Sequence, residues 1–236
     1  MVVTAAGACR RLKALGSPER ARVSRSFFKT GQGQYGEGDR FLGVSVPEIR
    51  QLSKEFRDLP RPQLLKLLES PLHEARLMAL LLMVRRYQGG DEGERGEMFD
   101  IYLSNTAFIN NWDLVDLSAP YLLGPHLEKR NRQILYRLAR SECLWERRIA
   151  ILSTLHFIRG GEFEDALALC EVLLHDGHDL IHKAVGWMLR EIGKRNAAVE
   201  EAFLVAHYPS MPRTALRYAI ERFPEDRRQA YLRGAI

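Results

Sequence analysis

An all-α fold of stacked helix pairs, curved into a solenoid, is what this sequence predicts, and three observations predict it. Apolar residues recur at spacings of three and four from Val46 onward, and no segment alternates in the manner of a strand. The apolar stretches are joined by short turns, such as Gln88 to Asp91, Gly160 with Gly161, and Asp176 with Gly177, which favours antiparallel neighbours. A basic residue also heads an apolar helix four times: Arg76 before LMALLLMV, Arg148 before IAILSTLHF, Lys183 before AVGWMLREI and Arg213 before TALRYAIERF. Their separations are one or two lengths of a helical repeat. A single repeat domain over 1–236 is expected.

Taken in order, Ser17 reads as an N-cap with Pro18 and Glu19 in a favourable first turn, opening a helix through Phe27 and Phe28. The loop Gly31 to Asp39, GQGQYGEGD, holds a literal G-x-G-x-x-G at Gly31, Gly33 and Gly36. A dinucleotide turn needs a strand before it and a helix directly after it, and here a helix precedes and RFLGVSVPE follows. A flexible loop is the expectation. The segments VPEIRQLSKEF, RPQLLKLLES and LHEARLMALLLMVRRY all show apolar residues at spacings of three and four and read as helices with Pro47, Pro62 and Pro71 at their starts.

Composition narrows the function without naming it. Of 236 residues, 46% are hydrophobic, enough for a sizeable core, and the formal charge is +5 despite 30 acidic residues, which makes a polyanionic partner plausible. The stretch up to Lys29 is strongly basic: Arg10, Arg11, Lys13, Arg20, Arg22, Arg25 and Lys29 oppose the single acid Glu19. No apolar run approaches the ~18 residues of a membrane helix and none marks a signal peptide, so a cytoplasmic protein is expected. Cys9, Cys143 and Cys170 form no C-x-x-C pair and read as small reduced hydrophobes. His175, His178 and His182 have ligand-like spacing, but they straddle an Asp-Gly turn and a helix start, where surface or capping roles are the better reading. No P-loop, H-E-x-x-H or G-x-S-x-G is present. Neither a metal nor a cofactor is expected.

The stretch Asn110 to Pro125, NNWDLVDLSAPYLLGP, carries the chemistry. Trp112 and Asp116 are four apart, so on a helix an indole and a carboxylate share one face. Heading DLSAPYLLG, Asp116 falls in the register of the basic row and gives Arg76, Asp116, Arg148, Lys183 and Arg213, one acid among bases. Trp187 lies four after Lys183. Singly, each tryptophan reads as core filler and the acid as a solvated helix residue. Together, the bases match a phosphate backbone better than a small-molecule pocket, while the aromatics and the acid add what phosphate contact does not need.

NNWDLVDLSAPYLLG, the LWERRIAIL around Arg148 and IHKAVGWMLREIGK around Trp187 closely resemble the AlkD-type DNA glycosylases of the DNA alkylation repair family, in the family's order and over nearly the whole chain. The resemblance implies a right-handed curved solenoid of HEAT-like repeats with a basic concave face. It also implies a monomer that removes cationic N3- and N7-alkylated purines from duplex DNA. Carried over, the active-site tryptophans are Trp112 and Trp187, the catalytic aspartate is Asp116, and the DNA-contacting arginine is Arg148. Such enzymes act without flipping the lesion into a pocket, their tryptophans touching the deoxyribose. Two departures stand out: Phe27 falls where the family carries a tyrosine, and Gly31 to Asp39 is an insertion relative to the shortest members. The rival reading is a non-catalytic scaffold binding DNA structures or a protein, with Asp116 as the discriminating feature. Lys183 acting as a Schiff-base lyase is disfavoured, because the aspartate route needs no covalent step.

Overall fold

The computed structural model describes residues 3–236. Among them the structure is helical, with no strand and one isolated bridge between Arg40 and Leu72, so the all-α expectation holds. No helix among them is long and apolar enough to cross a membrane. The chain divides into two compact units, Met1–Ser118 and Ala119–Ile236.

The first unit comprises α1 (Ala5–Leu15), α2 (Pro18–Phe27), α3 (Val46–Ser53), α4 (Arg61–Leu68), α5 (His73–Gly89), α6 (Glu92–Ser104) and α7 (Trp112–Asp116). Sequence chemistry sets the starts. Thr4, Ser17 and Asp91 each accept a backbone N–H of the first turn of α1, α2 and α6. At α3, Glu48 accepts from both the backbone N–H (2.7 Å) and the hydroxyl (2.6 Å) of Ser45, which hold its carboxyl down to about 2.

Helix α5 is the centre of this unit, packed by α1, α3, α4, α6 and α7. It is apolar all round from Leu77 to Val84, and every position from His73 to Val84 is buried. Its buried ionisable residues are His73, Glu74 and Arg76, all in its first turns and therefore in need of partners, whereas Arg85, Arg86 and Gln88 lie in its last turns. The Glu74 carboxylate takes the backbone N–H groups of Leu42 (2.9 Å), Gly43 (2.7 Å) and Val44 (3.3 Å). Gly43 is required there: its φ is +78°, and a Cβ would stand 2.3 Å from the Ser17 carbonyl. The expected flexible loop Gly31 to Asp39 is instead a run of tight turns closed at its end, where Asp39 is buried against α5.

The second unit comprises α8 (Ala119–His126), α9 (Gln133–Leu138), α10 (Leu144–Ser153), α11 (Leu155–Gly160), α12 (Glu164–Leu173), α13 (Asp179–Gly193), α14 (Ala197–His207), α15 (Arg213–Ala219) and α16 (Glu225–Arg233). Its central element is α13, packed by α10, α11, α12, α14 and α15. The α13–α15 contact is close because Gly186 faces α15; a Cβ there would lie 2.3 Å from the Ala215 carbonyl oxygen and 2.5 Å from Tyr218 Cβ. Gly186→Ala gains about 1 kcal/mol of helix propensity. It forces two backbones apart, however, and such overpacking costs about 1–3 kcal/mol. A net fall in thermal midpoint is expected by calorimetry, and a rise would show that α15 yields freely.

Candidate active site and nucleic-acid interface

Helix α7 is one turn long, with Trp112 as its first residue and Asp116 as its last, as the spacing predicts. Its start is held by side chains: Asn111 Oδ1 accepts from Trp112 N (2.9 Å) and Asp113 Oδ1 from Leu114 N (2.9 Å). Its end is enforced by Ser118, whose hydroxyl donates to the Leu114 carbonyl (2.5 Å) and is met by the buried Tyr102 hydroxyl (2.8 Å). Asp116 was expected to head the helix of DLSAPYLLG; it closes α7 instead, and α8 begins at Ala119 with Pro120 in its first turn.

The Trp112 indole is half-buried and belongs to an aromatic stack. It lies nearly parallel to Phe28 (centroids 5.2 Å apart, 19° between planes), and Phe28 in turn stacks on Phe41 (4.9 Å). Phe27, 61% exposed, meets Trp112 edge-on at 5.8 Å. Half-buried Asp116 has an electrostatic neighbour in Tyr102, whose hydroxyl is pushed above its ordinary range first by burial and then by the Asp116 charge.

Beneath the stack lies a buried charge cluster. His73 Nδ1 meets Asp39 Oδ2 (3.1 Å) and Nε2 meets Asp113 Oδ2 (2.8 Å). Arg76 Nη2 donates to Asp39 Oδ1, and Asn111 Nδ2 to Asp39 Oδ2 (3.1 Å). Burial opposes charge on His73, but the Asp113 charge and the hydrogen bonds to both carboxylates outweigh it and raise its pKa to about 9. Asp39 is likewise disfavoured by burial yet held below the usual range by His73 and Arg76. At neutral pH two cations therefore match two anions.

This geometry corrects the basic row at two places. Arg76 was expected on the DNA-binding face; it is 4% exposed, with Nη1 donating to the Ser70 carbonyl (3.0 Å) and Nη2 to Asp39. Arg76 completes the charge balance of the cluster. Arg148, on α10, is 5% exposed and donates through Nη1 to the Leu180 carbonyl at the start of α13 (2.6 Å), so it is no open phosphate contact. An apolar run preceded by one base reads the same whether the base faces solvent or an interior carboxylate, and Asp39 is too distant in sequence to reveal the difference.

The remaining candidates are accessible. Lys183 and Trp187 share one face of α13; Lys183 pairs with Asp179 (2.9 Å), and the Trp187 indole donates to Glu191 Oε1 (3.2 Å). Arg213 is exposed at the start of α15, with one nitrogen on the Leu232 carbonyl (2.9 Å). Near Phe27, Arg22, Arg25 and Lys29 are all exposed, additions that the charge of the N-terminal stretch pointed to. His178 caps α13 by accepting from Leu180 N (3.1 Å), and burial lowers its pKa, in keeping with an unprotonated acceptor. Among the described residues no group of histidines, cysteines and acids is placed to hold a metal.

The fold is helical, with an acid and an indole on one short helix and exposed bases near Phe27, and comparison names the family. Residues 8–223 match the family described as DNA alkylation repair enzyme, and the chain belongs to that family. Among solved structures it is similar to a predicted DNA alkylation repair enzyme from Enterococcus faecalis, with 19% identity, 89% of this chain and 97% of that one covered, and a TM-score of 0.68. It is also similar to AlkD2 from Streptococcus mutans, with 15% identity over 92% of this chain and 97% of that one, and a TM-score of 0.53. These likenesses bear on the fold. No curated protein matches the chain.

Proposed function

We propose that this member of the DNA alkylation repair family is a monofunctional DNA glycosylase. It hydrolyses the N-glycosidic bond of cationic N3- and N7-alkylated purines in duplex DNA, acting as a cytoplasmic monomer. The observation that carries the reading is α7, which presents a carboxylate and a partly exposed, stacked indole one turn apart. Phosphate binding alone has no use for the carboxylate.

The chemistry suits a single acid. A purine alkylated at N3 or N7 already carries positive charge, so when the C1′–N bond breaks its electron pair leaves with a neutral base and no proton need be supplied. The deoxyribose is left with oxocarbenium-like charge, which ionised Asp116 stabilises while it orients the water that adds to C1′. Trp112 and Trp187 offer π faces to the cationic sugar. Lys183 and Arg213 contact phosphates; Arg148 fixes the start of α13, which bears Lys183 and Trp187; Arg76 is assigned to the fold.

The decisive assay is release of free base from methylated duplex DNA, with 7-methylguanine and 3-methyladenine expected as products. Tight binding without release would favour the non-catalytic scaffold. A further expected result concerns salt. Lys183→Ala and Arg213→Ala should each reduce the slope of log affinity against log salt by about one unit, as loss of one phosphate contact does. Slopes unchanged from wild type would remove both from the interface.

A further inference from the structure

Helix α7 spans only Trp112–Asp116, far too short to be stable alone, so its orientation depends on what grips it. Two routes lead from it to the same side chain. Asp113, the residue after Trp112, meets His73 Nε2 at 2.8 Å, and the Phe28 ring that stacks on Trp112 also packs against the His73 ring at 5.1 Å. Asn111, the residue before Trp112, joins from the far side through Asp39, which His73 also holds. The charged groups that meet His73 are Asp113 from α7 and Asp39 from the loop, with Arg76 reaching it through Asp39; Glu74, in the same turn of α5, is engaged by the backbone of Leu42 to Val44. Phe28 and Phe41 cover the ring.

We propose that His73 is a positioning residue, which through Asp113 and Phe28 sets the orientation of α7 and so aims the Trp112 indole and the Asp116 carboxylate. A buried cluster of this kind is seldom the most stabilising filling for its space, since apolar residues of like volume do as well or better. What it supplies is directional hydrogen bonds from one imidazole to two chain segments. The aim of Asp116 rests on the glycosylase reading, whereas the hold on Trp112 does not.

The test separates the two. Protein carrying 5-fluorotryptophan is followed by fluorine NMR without DNA, the Trp112 signal being assigned by its loss in Trp112→Phe. In the wild type that signal should shift with pH around a midpoint near 9, as His73 loses its proton, while the Trp145 and Trp187 signals stay. In Asp39→Asn, which removes one of the two carboxylates sustaining the charge on His73, the midpoint should move down toward neutrality. Single-turnover base release by Asp39→Asn should fall about 10- to 100-fold with duplex affinity within about twofold, the mark of misplaced rather than missing groups. Its rate should also decline between pH 7 and 8, where the wild type stays level because His73 keeps its proton. A Trp112 signal that does not titrate in the wild type overturns the proposal, even should Asp39→Asn fail to fold. So does an unmoved midpoint in Asp39→Asn. If the wild type releases no base, the glycosylase reading fails while the NMR result still decides the role of His73.

Discussion

Asp116→Asn should release alkylated purines about a thousandfold more slowly than the wild type while binding the same duplex at least as tightly. An anion ~4 Å from a developing sugar cation, at an effective dielectric of about 20, contributes roughly 4 kcal/mol. At ~1.36 kcal/mol per decade this amounts to about three orders of magnitude in rate. Asparagine nearly preserves the volume, so α7 should keep its turn and Trp112 its stack on Phe28. Affinity should rise slightly, because an acid among phosphates is a repulsion removed. The same mechanism limits the wild type: with no general acid, uracil and hypoxanthine, which depart poorly without protonation, should remain in place. Single-turnover excision on duplexes with one defined lesion reads both demands. Wild-type rates in Asp116→Asn, or efficient uracil release by the unaltered protein, would sink this mechanism.

Local patterns carried the fold. Three-and-four periodicity and prolines at helix starts place α3, α4 and α5 within a few residues of where they lie, and Ser17, Pro18 and Glu19 open α2 as read, whereas α1 was not read. Trp112 and Asp116 share α7 because a spacing of four within a helical segment leaves little choice. The long-range charge pairing was not legible. Nothing near Asp39 in sequence says that it meets Arg76 and His73, so Arg76 passes for a surface base and the glycine loop for a flexible one. A signal existed nonetheless: His73, Glu74 and Arg76 open a helix that is apolar on every face from Leu77 to Val84, and ionisable residues at the head of such a run must find partners inside the protein. Arg148 misled for the same reason, since a base heading an apolar helix reads alike whether it meets water or the carbonyl of Leu180.

Arg76→Met should therefore act on stability. Methionine fills much of the arginine volume but removes the charge that balances Asp39, leaving His73 as the one cation of the cluster against two buried carboxylates. Breaking one side of a buried ion pair costs about 3–5 kcal/mol, a large fraction of the ~5–15 kcal/mol that holds a domain of ordinary stability together. The urea midpoint should fall accordingly. Arg76→Met with Asp39→Asn should recover part of the loss, because the double change removes both charges of the pair, and the shortfall from additivity measures their coupling. The salt slope for duplex DNA should match that of the wild type at a temperature where the variant is folded, since a guanidinium 4% exposed and bonded to Asp39 and Ser70 makes no phosphate contact to lose. Normal stability with a slope lower by about one unit would return Arg76 to the DNA surface.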